Sequence, residues 1–371
     1  MSERRDESAA GIAETGRAGH DIASRRRRWR DFLAPRAPGG FMFFIRYRGP
    51  EFRELKWPHR WPSKAKERVE FAVRRYEIAR AQAEWLHDDF VPYLDNLTGT
   101  EIFGEAFGCP VERPDHTMPF SRPVVHAPAE ADRVPEPRVE DTPLAYLFDL
   151  ADEMRRRAGP DAPLTLVDMQ SPMGITAEIW EKGDLFCSMI DAPEAVKSVA
   201  AKVKRLLIAF HDRWLERYGR AFVAHCPDYP MDGGITLSED EVGSVNADLF
   251  EEFFLQDLVD LSNRYGGIGI HCCACARHQW RHFARVPNLR LLNLSGQATK
   301  KTDPAYLDDA YRFFGPRTAQ MHESFRPDEL KDGLPCASPG SRIVYQVEVE
   351  TKDEALRACD RMLEARSATA R

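Results

Sequence analysis

The sequence predicts a closed (β/α)₈ barrel of the TIM type, an α/β fold in a single domain behind a flexible N-terminal extension. Three observations predict it. Short β-like runs alternate with helical patterns from residue 41 to residue 366, and such alternation builds a parallel sheet. The count is about eight units over roughly 330 residues, which fits a closed barrel better than an open sheet. No G-x-G-x-x-G or P-loop run follows any strand, so an open nucleotide-binding sheet would lack its phosphate loop.

The elements follow in order. Residues 1–38 are polar, rich in Ala, Gly and Arg, and without apolar period; they read as a disordered basic tail with a short helical stretch at Trp29–Leu33. Its run Arg25–Arg28 reads as solvated rather than as a nucleic-acid contact. The barrel is assigned to residues 39–371. "FMFFIRY" (41–47) is the first strand, and residues 63–90 carry Val69, Val73, Tyr76 and Ala79 at helical spacing, with Ser63 as N-cap. The glycine-punctuated "TEIFGEAFG" (100–108) stands in the second-strand region, and the proline-rich 110–143 is an irregular excursion. A helix at 143–159 ends in basic residues and glycine. "LTLVDMQSP" (164–172) is a strand, and 193–219 is a long helix with proline at its start and glycine at its end. "AFVAHC" or "GGITLS" supplies the next strand, before a helix at 247–266, a strand at 267–273 and a helical "RHQWRHFARV". Strands at 289–295, 317–323 and 341–349, with helices from about 304 and at 352–366, complete the alternation.

Composition narrows the function classes. The chain has 371 residues, 43% of them hydrophobic, and a net charge of −7; its pI is near 5.9. That length and content suffice for a large core, and the charge implies no attraction to nucleic acid or to an anionic membrane. No apolar run approaches the roughly 18 residues of a membrane helix, and the first thirty residues lack the apolar core of a signal peptide. The reading is a cytoplasmic protein. Its eight cysteines are mostly isolated, which argues against a disulfide scaffold and, in a reducing compartment, turns attention to the one place where they gather.

That place is "HCCACARH", residues 271–278. Side chains alternate along a strand, so His271 and Cys273 share a face, Cys272 points the other way, and Cys275 joins the first two if the chain stays extended. The C-terminal end of a barrel strand is where such folds place their chemistry. An imidazole and a thiolate there suit one zinc ion, which takes N and S donors and lowers the pKa of a bound thiol. The alternative is ordinary packing, because buried cysteine behaves as a small apolar residue. His278 and His282, one helical turn apart, read as partly exposed polar residues rather than ligands.

Several stretches together resemble the uroporphyrinogen decarboxylase superfamily, which includes zinc-dependent, corrinoid- or thiol-linked methyltransferases. "HCCACARHQW…VPNLRLLNLS" is similar to the fifth-strand region of that superfamily, "QSPMGITAEIWEKGDLFCSMIDAPEAVKSVAAKV" to the third strand and its helix, "NLTGTEIFGEAFG" to the second-strand region, and "LSEDEVGSVNADLFEEFFLQDLVDL" to the acidic loop and helix before the His-x-Cys strand. The resemblance spans roughly residues 60–366. It implies a zinc-thiolate methyltransferase that moves a methyl group between a corrinoid or small donor and a thiol, with a small-molecule substrate, a corrinoid protein as partner, and pairing into a homodimer as in related barrels. His271 and Cys273 match the first two zinc ligands of that branch. The third should fall on the last strand, where Gln346, Val347 and Glu348 stand instead; Cys336 in the preceding loop is the assigned third ligand, with Cys275 and Glu348 as alternatives. The other branch is a metal-free decarboxylase of carboxylated tetrapyrroles. "FIRYRGPEF" resembles its arginine-rich substrate grip but lacks the Gln-Ala-Gly-Arg centre; Arg46 and Arg48 remain to pair with carboxylates. A third reading is a non-catalytic barrel that binds a corrinoid or tetrapyrrole.

Other polar residues near strand ends complete the candidate site. Glu239 and Asp240 in "LSEDEV" are read as general base or as orienters of the histidine ligand, against the plainer reading of an acidic first turn for the next helix. Asp168 and Gln170 share a face of "VDMQSP" and look into the same funnel as Asn293. All three are assigned to substrate binding, and His322 to catalysis.

Overall fold

The computed structural model describes residues 21–369 apart from 60–63, 97, 115–116, 226, 295–302, 304, 329–333 and 335–339, with the backbone alone at 322–325 and 369. The strands, in chain order, are β1 (Gly40–Tyr47), β2 (Val111–Glu112), β3 (Phe120–Ser121), β4 (Ala221–Val223), β5 (Pro230–Asp232), β6 (Ile235–Ser238), β7 (Ile268–Cys272), β8 (Leu289–Leu294), β9 (Ala319–Phe325) and β10 (Arg342–Val349). Six of them form one sheet in the order β1-β10-β9-β8-β7-β6, and every pairing in it is parallel. The last strand thus lies beside the first. Apolar runs such as Phe41–Ile45 and Ile343–Tyr345 are buried throughout, as strands covered on both faces must be.

Parallel bridges continue past β6. Gln170 pairs with Ser238, Thr165 with Val223, and Leu164 with Leu94. The predicted strand at 164–172 is therefore present as short bridged pieces. Both fourth-strand alternatives form strands: β4 pairs with β5 antiparallel, while β6 takes the place in the sheet. At the other edge, the Asp89 N–H donates to the Phe43 carbonyl at 3.0 Å. The Asp89 and Asp88 carboxylates accept the N–H groups of Phe43 and Ile45 at 3.0 and 2.9 Å. The segment 88–94 thus touches both ends of the strand series.

Two expectations are corrected. "TEIFGEAFG" is not a strand but the helix Glu101–Ala106. Ile102, Phe103 and Ala106 are buried together, and Gly104 leaves room for Ser121, whose Cβ would lie 2.9 Å from a side chain placed there. The second sheet position falls to the residues just before it, around Leu94. The N-terminal tail also ends earlier than residue 38. Ile22–Phe32 is a helix capped by Asp21, whose side chain accepts from the Ser24 N–H. Trp29 is buried against Phe44 and Tyr229. Arg25 is fully buried and gives its guanidinium to Asp88 and to the carbonyls of Ala83, Leu86 and Phe90. A buried cation is tolerated only with such complete partnering, so half of the basic run is structural.

The helical expectations hold closely: Ala65–Ala83, Leu144–Ala158, Pro193–Tyr218, Tyr306–Phe314 and Lys352–Thr369. The helix predicted at 247–266 runs from Ala247 to Tyr265 through a π-helical turn at Glu251–Leu255. Ser63, the expected N-cap of the first long helix, lies outside the described residues. No helix among the described residues is long and apolar enough to cross a membrane.

Candidate metal centre and a neighbouring-strand cavity

The site grows out of strand register. Gln170 bridges Ser238, Ser238 pairs with His271, and His271 pairs with Asn293. Four neighbouring chain segments therefore present one residue each at the same level, near the C-terminal ends of the strands. Asp240 follows β6 by two residues and Cys273 follows β7 by one. The result is a trio. Asp240, His271 and Cys273 each offer a ligand atom, and these atoms lie within 4.8 Å of one another.

Each member is held. The Asp240 carboxylate accepts the backbone N–H of Cys273 at 2.7 Å and the side-chain amide of Gln170 at 3.2 Å. His271 Nδ1 meets Asn293 Oδ1 at 2.5 Å. An amide oxygen only accepts, so Nδ1 carries the proton and Nε2 keeps its lone pair. Alternation puts His271 and Cys273 on one side, as expected, and Cys272 on the other, buried in the core. Burial pushes the Cys272 thiol well up, and Asp240 adds to the shift. Cys272 is core; Cys273 and Cys275 are exposed.

Several assignments change. Asp240 stands in the trio itself, where its carboxylate offers an oxygen beside the His271 and Cys273 ligand atoms. Glu239 is sealed, with no exposed surface and neither carboxyl oxygen hydrogen-bonded. Burial raises its carboxyl well above the usual carboxylate range, against the nearby Ser171 hydroxyl. Adjacent residues leave a strand in opposite directions, so Glu239 and Asp240 cannot both face one funnel. Asn293 orients His271, and Gln170 orients Asp240. His278 is exposed, but His282, read as partly exposed, is buried; His278 Nε2 meets the Val245 carbonyl at 2.9 Å, and His282 Nδ1 meets Gln279 Oε1 at 3.0 Å. Cys336 lies outside the described residues, as does the side chain of His322 on β9.

A cavity of about 660 Å³ opens at the C-terminal ends of β1 and β10, lined by Arg46, Arg48, His225, Asp228, Gln346 and Glu348 among others. One wall is a closed ionic chain. Arg46 donates to both oxygens of Asp228 at 2.8 and 2.5 Å and to Gln346 at 2.9 Å. Tyr93 donates to Asp228 at 3.0 Å, Arg75 donates to Tyr93 at 3.1 Å, and Arg75 also pairs with Asp95. Burial alone would raise Asp228, but Arg46 and Arg75 bring it below the usual carboxylate value. Arg46 is thus already neutralised, whereas Arg48 is exposed on the same cavity. Glu348 stands on this cavity too, paired in register with Arg46 rather than with the trio. A second cavity, about 510 Å³, opens at the opposite ends of β8, β9 and β10 around Leu289, Thr318 and Arg342; its Arg342 is spent on backbone carbonyls.

Asp168 joins the two regions. Its carboxylate lies 3.5 Å from Nδ1 of His225, and two residues on, Gln170 reaches Asp240. The sequence reading missed His225 and Asp228. The signal was "AHCPD", a polar group directly after a short apolar run, hidden by uncertainty over which of two runs was the strand. It also missed Glu178, whose carboxyl is pushed to about 7 by burial and by Glu101 and Asp168, against a Thr100 hydrogen bond.

Fold and site together define a mixed α/β protein with a nitrogen, sulfur and oxygen trio at the ends of parallel strands. No family model and no curated protein matches the sequence. Among solved structures, a methyltransferase from Methanosarcina mazei matches over 94% of this chain and 99% of that one, with a TM-score of 0.63 and 10% identity. At that identity the likeness is one of fold.

Proposed function

We propose that this chain is a zinc-dependent methyltransferase built on a closed (β/α)₈ barrel, with a thiol as methyl acceptor and a corrinoid as donor. The barrel reading is supported by the parallel order in which the last strand adjoins the first, and by the bridges through Leu94, Leu164, Gln170 and Ser238. The observation that carries the function is the trio. Asp240, His271 and Cys273 supply one oxygen, one nitrogen and one sulfur donor, a set that suits a borderline-soft ion in tetrahedral array and leaves a position open. Two anionic donors offset a divalent charge. Bound there, zinc would act as a Lewis acid that makes a thiol nucleophilic near neutral pH.

The chain's own groups do the rest. Asn293 fixes the histidine tautomer so that Nε2 is the donor. Gln170 and the Cys273 N–H hold the Asp240 carboxylate in place, as partners behind a metal ligand do. The cavity at the ends of β1 and β10, linked to the trio through Asp168 and Gln170, gives a small substrate room, with Arg48 as its unpaired cation among the described residues. The metal-free decarboxylase reading draws less support, because Arg46 is committed to Asp228. Elemental analysis together with methyl transfer from methylcobalamin to 2-mercaptoethanol tests the proposal. Expected are near-stoichiometric zinc and turnover, both lost in Cys273→Ser and in His271→Ala. Zinc-free protein, or turnover indifferent to these changes, would refute it.

A further inference from the structure

The trio offers ligand atoms but no group placed to take the proton that a thiol must lose. Asp240 is engaged by two hydrogen bonds, Glu239 is sealed away from solvent, and Asn293 holds His271 through Nδ1. Proton acceptors on the cavity side are few. Asp228 is saturated by Arg46 and Tyr93, and Glu348 stands exposed at the end of β10. His225 differs from both. It lines the cavity and follows β4, which bridges the segment carrying Asp168. Its Nδ1 is buried without a hydrogen bond, and the nearest carboxylate oxygen, Asp168 Oδ2, is 3.5 Å away. Catalytic hydrogen bonds of this kind are often long before substrate binds.

We propose that the cavity admits the acceptor thiol and that His225, backed by Asp168, is the base that takes its proton. The inference rests on the methyltransferase reading. Asp168 faces Nδ1, so the neutral ring carries its proton there and keeps the Nε2 lone pair as acceptor. The thiol S–H bond breaks and its proton goes to Nε2. The sulfur electron pair forms the S–CH₃ bond while the bond from the methyl group to the corrinoid breaks, leaving its electron pair on the donor. Asp168 stabilises the imidazolium by charge and does not itself accept the proton. The same strand segment carries Gln170 to Asp240, so one piece of chain sets both the base and a metal ligand. Neither His225 nor its link to Asp168 was apparent in the sequence.

The test counts protons. Zinc-loaded protein is titrated calorimetrically with 2-mercaptoethanol in two buffers of different ionisation enthalpy. The wild type should keep the thiol proton, whereas His225→Gln should release about one more proton per thiol bound. Asp168→Asn, which loses the charge behind the ring, should fall between them. Turnover with methylcobalamin should drop about a hundredfold in His225→Gln, with zinc content unchanged. Equal proton release by wild type and His225→Gln, with zinc and thiol both bound, overturns this inference and leaves the methyltransferase reading standing. Protein that holds no zinc, or zinc-loaded protein that takes up no thiol, sinks both. Thermal unfolding of each variant and the Asp168→Asn series guard against a fold defect mistaken for loss of a base.

Discussion

At the scale of single residues, the site is a set of side chains whose roles are set by their neighbours. Asn293 Oδ1 at 2.5 Å from His271 Nδ1 decides which nitrogen is free. Asn293→Ala should weaken zinc affinity by about 10–100-fold, the usual cost of losing such a partner; competition with a chromogenic chelator measures it, and unchanged affinity would contradict the assigned tautomer. Glu178 gives a pH prediction. Its folded-state value of about 7 lies above the ordinary 4.5, so between those values the native state holds a proton that the unfolded chain has released. Stability must fall as pH rises through that window. Glu178→Gln removes the loss: the variant should gain in melting temperature over wild type near pH 8 and show no gain near pH 4 or below. A gain of equal size at both pH values would point to packing instead. His271 and Cys273 were legible in the sequence because strand alternation is local. The role of Asp240 was not, because it depends on the register between β6 and β7, which no single run of residues encodes.

At the scale of elements, the arrangement depends on close approaches and on carboxylates standing in for strand pairing. Gly269 lies two residues before His271 on the same face of β7, and a Cβ there would run into the Tyr229 hydroxyl. Tyr229 is buried, so it cannot swing away. Gly269→Ala should shift β7, destabilise the protein by about 1–3 kcal/mol or more, and lower zinc affinity with it; Tyr229→Phe in the same chain should recover part of both, as coupled neighbours do. Chemical denaturation of the single and double variants would show additive losses if the contact is not what matters. Asp89 is the other critical element. Fully buried, it serves the Phe43 N–H and pairs with Arg28 and Arg366. Asp89→Ala leaves two cations without their acid and should cost about 3–5 kcal/mol in the same experiment. The long helices and the later strands were readable from periodicity. The strand at 164–172 was legible only as a run of β-forming residues, and its reduction to bridges reflects partners that are themselves short. "TEIFGEAFG" misled because glycines punctuate turns, strands and helix packing alike; what settles it is Ser121, far along the chain, seated against Gly104.

At the scale of the whole molecule, alternation of strands and helices carried the α/β assignment, and the parallel order agrees with it. The packed N-terminal helix was less visible, because a run of arginines has the composition of a solvated tail, and only the carbonyls and Asp88 that surround Arg25 turn it into core. The central claim concerns the one place where register, alternation and donor chemistry converge. Zinc-edge anomalous diffraction from crystals grown with zinc tests it most directly. The account predicts a peak bounded by Asp240, His271 and Cys273, absent in Cys273→Ser; zinc-saturated crystals with no peak there, or with the ion held elsewhere, would contradict it.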